Sequence, residues 1–316
     1  MTRRALVIGC GGVAGGAWTI AMLDSLANAT GWDPRQADIL MGTSSGSVIV
    51  SLLGGGISIE RMMNNQHSGH SQTTRWNHDV SSGGALPPLP ASLLPGAPQL
   101  VWQGLRGRVP AMTALSGLLP QGRLDIAPLT QLIDGLATEN SWVPHPATWV
   151  VAVDDKTGER VAFGSPDAPR VAMRDAVCAS CAIPGWAPPV EMAGRRYLDG
   201  GIASPTSADL LTAEDVDEVV IISPMASRQT DRPRSLPLRM ERLMRKVMTE
   251  RVTAEIRHLQ ERGIRVLWLE PAPEDLAAFG YNMMDPKRRK TVFETALQTT
   301  PRTVDIALRS SPVNFT

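Results

Sequence analysis

No charge of either sign predominates in this chain. Its 316 residues carry 31 Lys and Arg against 31 Asp and Glu, a formal net charge of zero. Such a balance does not suit a nucleic-acid binder, which needs a basic surface to follow phosphates. It also gives no general pull toward anionic membrane, so lipid contact is expected from a local apolar patch. Cysteine is scarce, with only Cys10, Cys178 and Cys181. An odd, sparse count fits a reducing compartment better than a disulfide framework. Cys178 and Cys181 form a C-x-x-C, but no second such pair and no nearby histidine accompanies it, so neither a metal nor a cofactor is expected. No apolar run reaches the roughly 18 residues of a spanning helix. The run Ala5-Leu6-Val7-Ile8 after Arg3-Arg4 stops at Gly9, too soon for a signal h-region. It reads as a first strand, and a cytoplasmic protein is the expectation. No internal repeat is visible.

What is present is a large apolar fraction, 43% of residues, with 20% charged. That is enough core for one large α/β domain or two small ones. Short apolar runs at 5–9, 39–42, 148–153, 218–223 and 264–269 read as strands covered on both faces. Helical patterns intervene after Ala14, after Ser44, near 129–136 and over 238–262. The last carries Met240, Leu243, Met244, Val247, Met248, Val252, Ile256 and Leu259 at three-four spacing, a core-facing stripe, and Gly263 stands as its C-cap. Alternating strands and helices predict a three-layer α/β/α fold around a central, mostly parallel sheet. Residues 66–128 differ. Between Pro87 and Pro120 they hold seven prolines, together with Leu93, Leu94, Leu100, Trp102, Leu105, Leu115, Leu118 and Leu119. So many large apolar groups do not fit a solvated linker, and a packed, lid-like insertion beside the active site is expected. Trp76 and Trp102 are candidates to line an acyl pocket. Asp209, Glu214, Asp215 and Asp217 read as a solvated acidic stretch, and Asp154-Asp155 before Lys156-Thr157-Gly158 as a turn.

Three motifs carry chemistry. Gly42-Thr43-Ser44-Ser45-Gly46 is G-x-S-x-G between an apolar run and a helix-like segment, the strand–turn–helix setting of a nucleophile elbow. Its glycines permit a sharp turn, and Ser44 would stand at a helix N-terminus, where developing negative charge is favoured. Gly9-Cys10-Gly11-Gly12-Val13-Ala14-Gly15-Gly16 follows the first strand. It reads equally as a loose dinucleotide fingerprint, with Asp33 or Asp38 as the distal acid, or as an oxyanion loop whose bare N–H groups face a developing oxyanion. Arg196-Tyr197-Leu198-Asp199-Gly200-Gly201 decides between them by supplying a carboxylate ahead of two glycines. A serine hydrolase needs a base for the hydroxyl proton. None of His67, His70, His78, His145 and His258 has a convincing setting, so Asp199 acting directly is the simpler reading.

The three motifs, in this order, resemble the patatin-like phospholipases of the bacterial branch. Ala179-Ser180-Cys181-Ala182-Ile183-Pro184-Gly185, with Pro188-Pro189-Val190, is similar to the box that precedes that family's aspartate. The resemblance runs from about Ala5 to Met225. It implies one patatin-like catalytic domain over 1–316, with the 66–128 insertion and a helical extension over 238–316 around a late strand. It implies a Ser44–Asp199 dyad, an oxyanion hole from Gly11, Gly12 and Val13, structural glycines at Gly42, Gly46, Gly200 and Gly201, and hydrolysis of lipid or other acyl esters. Transient contact with a membrane or an acyl carrier would follow. Two positions depart from the pattern, Cys10 for a first glycine and Ala14 for a basic residue. Backbone N–H groups survive both changes, while the missing cation argues against strongly anionic head groups. An acyltransferase using the same dyad, or a nucleotide-binding scaffold, are the alternatives.

Overall fold

The computed structural model describes residues 2–68, 85–138, 140–229, 231 and 233–315. His70, His78, Trp76 and the Ser81–Gly84 run lie outside them. Strand β1 (Arg4–Ile8) pairs in parallel with β2 (Ile39–Thr43) on one side and with the strand Glu218–Ile222 on the other. β2 pairs in parallel with β3 (Thr148–Asp154). Next to β3 the direction reverses. β4 (Arg160–Phe163) and β6 (Arg195–Asp199) run antiparallel to β3, and β5 (Val190–Met192) runs antiparallel to β6. With β7 (Glu218–Ile222) and β8 (Arg265–Leu269) the sheet has, among the described residues, eight strands in the order β5-β6-β3-β2-β1-β7-β8, with β4 beside β3. Every strand foreseen from an apolar run is there. The three that were not foreseen are the antiparallel ones. They are short, and β6 opens on exposed Arg195 and half-buried Arg196, so they lack the two-sided apolar signature.

The apolar runs are continuous because helices cover both faces of the sheet. Leu6, Ile8, Leu40, Val220, Ile222 and Leu267 point into one cluster with α1 (Gly12–Thr30), α2 (Ser45–Gly54) and α3 (Ile59–Ser68). The alternate residues Ala5, Val7, Met41, Val219, Ile221 and Val266 point into another. Period-two alternation within a single run is what a two-sided strand requires. Further along, α4 (Pro98–Leu105), α5 (Ala111–Ser116) and α6 (Ala127–Asp134) occupy the insertion and its exit. α7 (Met173–Ser180) packs on β3 through Ala176 and Val177. α8 (Leu236–Glu261), α9 (Pro273–Phe279) and α10 (Arg289–Arg309) complete the layers. The result is the expected three-layer α/β/α architecture with a mixed, mostly parallel sheet.

Three local expectations are corrected. The stripe on α8 is core-facing only in its second half, where Met248, Val252 and Leu259 are buried; Met240, Leu243, Met244 and Val247 are exposed, and Glu241 and Arg245 are buried in their place. The pattern matched a helix period but could not show which ridge met the sheet. Asp209 is not solvated: Arg160 grips it through two hydrogen bonds of 2.6 and 2.8 Å, and Arg251 adds one of 3.1 Å. In the insertion Leu100 is buried, but Leu93, Leu94, Leu105, Leu115, Leu118 and Leu119 are exposed. Among the described residues no helix is long and apolar enough to cross a membrane.

These placements separate two substitutions. Phe293 on α10 is buried in the main core, so Phe293→Ala should lower the unfolding free energy by about 3–5 kcal/mol. Leu243→Gln, on the exposed ridge of α8, should change it by less than about 0.5 kcal/mol. Urea unfolding followed by circular dichroism measures both; a large loss at Leu243 would contradict the placement of α8.

Candidate active site

β2 delivers the chain to Ser44 and α2 takes it away from Ser45. Ser44 sits between them at φ 55°, ψ −124°, a left-sided conformation that costs a non-glycine residue about 1–3 kcal/mol. The surroundings hold it there. Its amide N–H donates to Ser180 Oγ (2.8 Å), and Ser180 Oγ donates to the Val151 carbonyl on β3 (2.6 Å). Ser47 Oγ donates to the Ser44 carbonyl (2.6 Å). The turn also needs its glycines. A Cβ on Gly46 would stand 2.1 Å from the Ile8 carbonyl oxygen, and one on Gly42 2.4 Å from the Gly46 carbonyl oxygen. The elbow is pressed directly against the end of β1, and no side chain fits between.

Sheet register brings the carboxylate to this turn. Thr43 pairs with Val151, and Asp199 pairs with Ala152, the next residue along β3. Asp199 thus ends β6 one step from where Ser44 leaves β2. The Ser44 hydroxyl is the neighbouring side chain that most favours ionisation of the Asp199 carboxyl, and the Gly201 N–H donates to Asp199 Oδ1 (2.7 Å). Both Ser44 and Asp199 are buried. Burial pushes the Asp199 carboxyl up to about 7, against the opposing pull of Ser44 and the Gly201 N–H. A Cβ on Gly201 would meet both Asp199 Oδ1 and Cys10 Sγ at 3.0 Å, so this loop touches the glycine loop that follows β1. Gly200 packs as closely on the other side, where a Cβ would stand 2.6 Å from the Val151 carbonyl oxygen.

The glycine loop is fixed at its base. Gly9 N–H donates to the Ile222 carbonyl (2.8 Å) and Cys10 N–H to the Pro205 carbonyl (2.8 Å). The amide groups of Gly11, Gly12 and Val13 have no hydrogen-bond acceptor among the described residues. Gly12, at φ +58°, and Val13 line a cleft with Ser44. Gly11 caps α1 and packs on Pro224 instead. The cleft encloses about 160 Å³ and is mostly apolar, lined by Ile20 from α1, Val48 and Leu52 from α2, Met62 from α3, and Leu124, Ile126 and Leu129 at the exit of the insertion, with Ser45, Asn65 and Gln66 as its other polar neighbours. Leu100 and Trp102 do not line it: Leu100 packs on Leu198, and Trp102 stacks with Arg106.

Of the described histidines none joins the pair. His145 Nε2 bonds the Ala37 carbonyl (2.8 Å), at the opposite ends of β2 and β3. His67 is exposed and edge-on to Phe293, and His258 lies in the last turn of α8. Cys178 and Cys181 are free thiols, with Thr130 and Ser47 as their hydroxyl neighbours, and burial pushes both thiols up. Two positions escaped the sequence reading. Ser180, the brace of the elbow, stood inside the box quoted for its family resemblance but had no assigned task. Glu255, buried on α8, accepts from Thr206 Oγ1 (2.5 Å), the Ala208 N–H (3.0 Å) and Ser204 Oγ. It clamps the segment whose Pro205 carbonyl holds Cys10. A lone glutamate in a helical stripe carries no signal of this.

A family model, Patatin-like phospholipase, matches residues 6–212, a span that contains all three motifs and both members of the buried pair. The chain belongs to the patatin-like phospholipase family. Membership of this family supports lipid acyl hydrolysis. Among solved structures, VipD from Legionella pneumophila is 14% identical, with a TM-score of 0.44 over 97% of this chain and 67% of VipD. The type III effector ExoU is 15% identical, with a TM-score of 0.40 over 97% of this chain and 53% of that one. The ExoU–SpcU complex from the type III secretion system of Pseudomonas aeruginosa gives 14%, 0.38, 98% and 52%. The chain therefore spans about two thirds of the VipD chain and about half of the ExoU chain. No curated protein matches.

The raised Asp199 carboxyl has a consequence for stability. Between its ordinary value of 3.8 and about 7 the folded state holds a proton that the unfolded state has released. Stability then falls as pH rises through this window, by on the order of a few kcal/mol in total. Asp199→Asn removes that cost and leaves an oxygen for the Gly201 N–H. The variant should melt above the parent at pH 8, with the difference shrinking toward pH 4. Equal melting shifts at both pH values would show that Asp199 is not a desolvated acid.

Proposed function

We propose that this chain is a serine acyl hydrolase of lipid esters that works through an acyl-enzyme on Ser44. The observation that supports it most is the placement of the buried Asp199 carboxyl beside Ser44 by the sheet register, with Ser44 lining an apolar cleft. Asp199 in its ionised form takes the hydroxyl proton as Ser44 Oγ attacks the ester carbonyl. The carbonyl oxygen becomes negative and is received by N–H groups of the Gly11–Val13 loop, which spend no hydrogen bond elsewhere among the described residues. The tetrahedral intermediate collapses, Asp199 returns its proton to the leaving alcohol, and the acyl group stays on Ser44. Water, deprotonated by the same carboxylate, reverses the sequence and frees the acid. The cleft between α1, α2 and α6 takes the acyl chain, each buried methylene contributing about 0.8 kcal/mol. Transfer to an alcohol, amine or carrier thiol would share the first half of this route, and product analysis with such acceptors distinguishes it from hydrolysis.

Probe labelling, substitutions and a pH profile test the assignment. A fluorophosphonate probe should label one serine, mapped to Ser44, and Ser44→Ala should lower turnover of p-nitrophenyl esters by several orders of magnitude. Replacing His67, His145 or His258 should leave most activity; a folded but inactive histidine variant would remove the dyad. Because the base must be ionised, kcat/KM should rise with pH and level off above an inflection near 7, set by the raised Asp199 carboxyl. A rate that falls through this range would assign Asp199 another role. In the cleft, Ile126→Trp should depress hydrolysis of long-chain esters by about fiftyfold or more relative to acetate, since three or more methylenes, each worth about 0.8 kcal/mol, would lose their place.

A further inference from the structure

The described part of the insertion has two unlike faces. Its inner side is fastened to the loop that carries Asp199. Leu100 is buried on Leu198, Thr113 Oγ1 donates to the Ile202 carbonyl (2.8 Å), and Arg196 Nη2 donates to the Gly96 carbonyl (3.0 Å). The segment is also closed on itself, with Gly96 N–H donating to the Leu119 carbonyl (2.8 Å) and Ala97 N–H to the Gly117 carbonyl (3.2 Å). Away from these contacts it exposes large apolar groups to solvent. Leu86, Leu89, Leu93 and Leu94 are 77%, 87%, 86% and 75% exposed, and Leu105 is 76% exposed. So many large apolar groups uncovered along one anchored segment mark an interaction surface.

Charge says what kind of surface. Residues 80–124 contain no Asp or Glu, and their charged groups are Arg106, Arg108 and Arg123, in a chain whose charges otherwise cancel. The Arg106 guanidinium lies 4.6 Å from the centre of the half-exposed Trp102 ring. Exposed leucines suit an acyl boundary, Trp favours the membrane–water interface, and arginines without acids suit anionic head groups. A second copy of the chain fits less well, since a symmetric contact would bring the same arginines together. The segment also leads to the chemistry. Past Gly122 the Leu124 N–H donates to the Trp186 carbonyl (2.8 Å), and Leu124 and Ile126 form the wall of the Ser44 cleft.

We propose that residues 86–119 are the surface on which this protein docks to an anionic lipid bilayer, which brings the Ser44 cleft to its substrate. The inference rests on the lipid-ester reading of that cleft. The missing cation beside the glycine loop bears on the head group at the reaction centre, whereas these arginines act at the bilayer surface.

The test is co-sedimentation of the full chain carrying Ser44→Ala, so that no lipid is consumed, with phosphatidylcholine vesicles lacking or containing phosphatidylglycerol. Binding to the anionic vesicles is expected, weakened by salt. Leu93→Asp/Leu94→Asp should reduce partitioning by at least about tenfold, and Arg106→Glu/Arg108→Glu should abolish the preference for phosphatidylglycerol. In the Ser44-containing protein both double variants should hydrolyse a soluble acetate ester at the parent rate, which shows that they fold. Vesicle binding unchanged in both would overturn the proposal. So would a leucine variant that turns a dimer into a monomer in light scattering while vesicle binding persists, since the face would then join two copies. Vesicle binding that behaves as expected in a parent protein unable to cleave any ester would sustain the docking surface and overturn the hydrolase reading instead.

Discussion

Burial of a single carboxyl constrains most of this structure. Asp199 is removed from water at the end of β6, and no arginine or lysine among the described residues is paired with it; only the Ser44 hydroxyl and the Gly201 N–H offset the loss of hydration. A carboxyl in that state keeps its proton near neutrality, which suits the proposed role of taking a proton and giving it back. Such a site tolerates little movement, because each hydrogen bond lost would raise the cost of ionisation further. The antiparallel turn-back of β5 and β6 onto β3 meets this demand. It sets Asp199 opposite Ala152, beside the point where β2 ends, and ties Asp199 N–H to the Ala182 carbonyl (3.0 Å).

The same constraint explains which neighbours are rigid. Ser44 is strained, and a strained residue persists only where its surroundings over-determine it. Ser180 and Ser47 supply that bracing, one from the adjacent helix and one from the turn itself. On the other side, Glu255 holds residues 204–208, and the Pro205 carbonyl in that segment holds Cys10. The glycine loop is thereby fixed at its base and free at its tip. In the proposed reaction its tip amides would lose nothing by binding an oxyanion, since the α1 N-terminus leaves them unpaired among the described residues in any case.

Those parts of the site that rest on backbone geometry were legible in the sequence. Gly42 and Gly46 announce a tight turn whose Gly46 closes on the end of β1, and the glycines after Asp199 announce contacts with β3 and Cys10. The parallel strands were legible because burial on both faces forces unbroken apolar runs. What the sequence concealed was paired polarity. Asp209 looks like one more surface acid until Arg160 and Arg251 arrive from distant segments. Glu255 looks like a charged residue on a helix until the loop it clamps folds over it. In both cases the partner lies about forty or more positions away, and no local periodicity encodes the meeting.

The exposed ridge of α8 follows from the same pairing of charges. Glu241 and Arg245 are both nearly inaccessible and lie one helical turn apart, joined at 2.7 Å. Burying them turns Met240, Leu243, Met244 and Val247 outward. A buried ion pair seldom stabilises a fold as well as apolar packing would, so its presence calls for another account. Arg245 Nη1 donates to the Pro224 carbonyl (2.6 Å), and Pro224 is the residue packed against Gly11 and Gly15. The helix therefore gives up an apolar contact and gains a fixed point beneath the glycine loop. With Glu255 holding the 204–208 segment from nearly three turns further along, α8 braces the loop at two places. A single rigid helix sets both, so the loop keeps its position relative to Ser44 even though its own tip amides have no partner among the described residues.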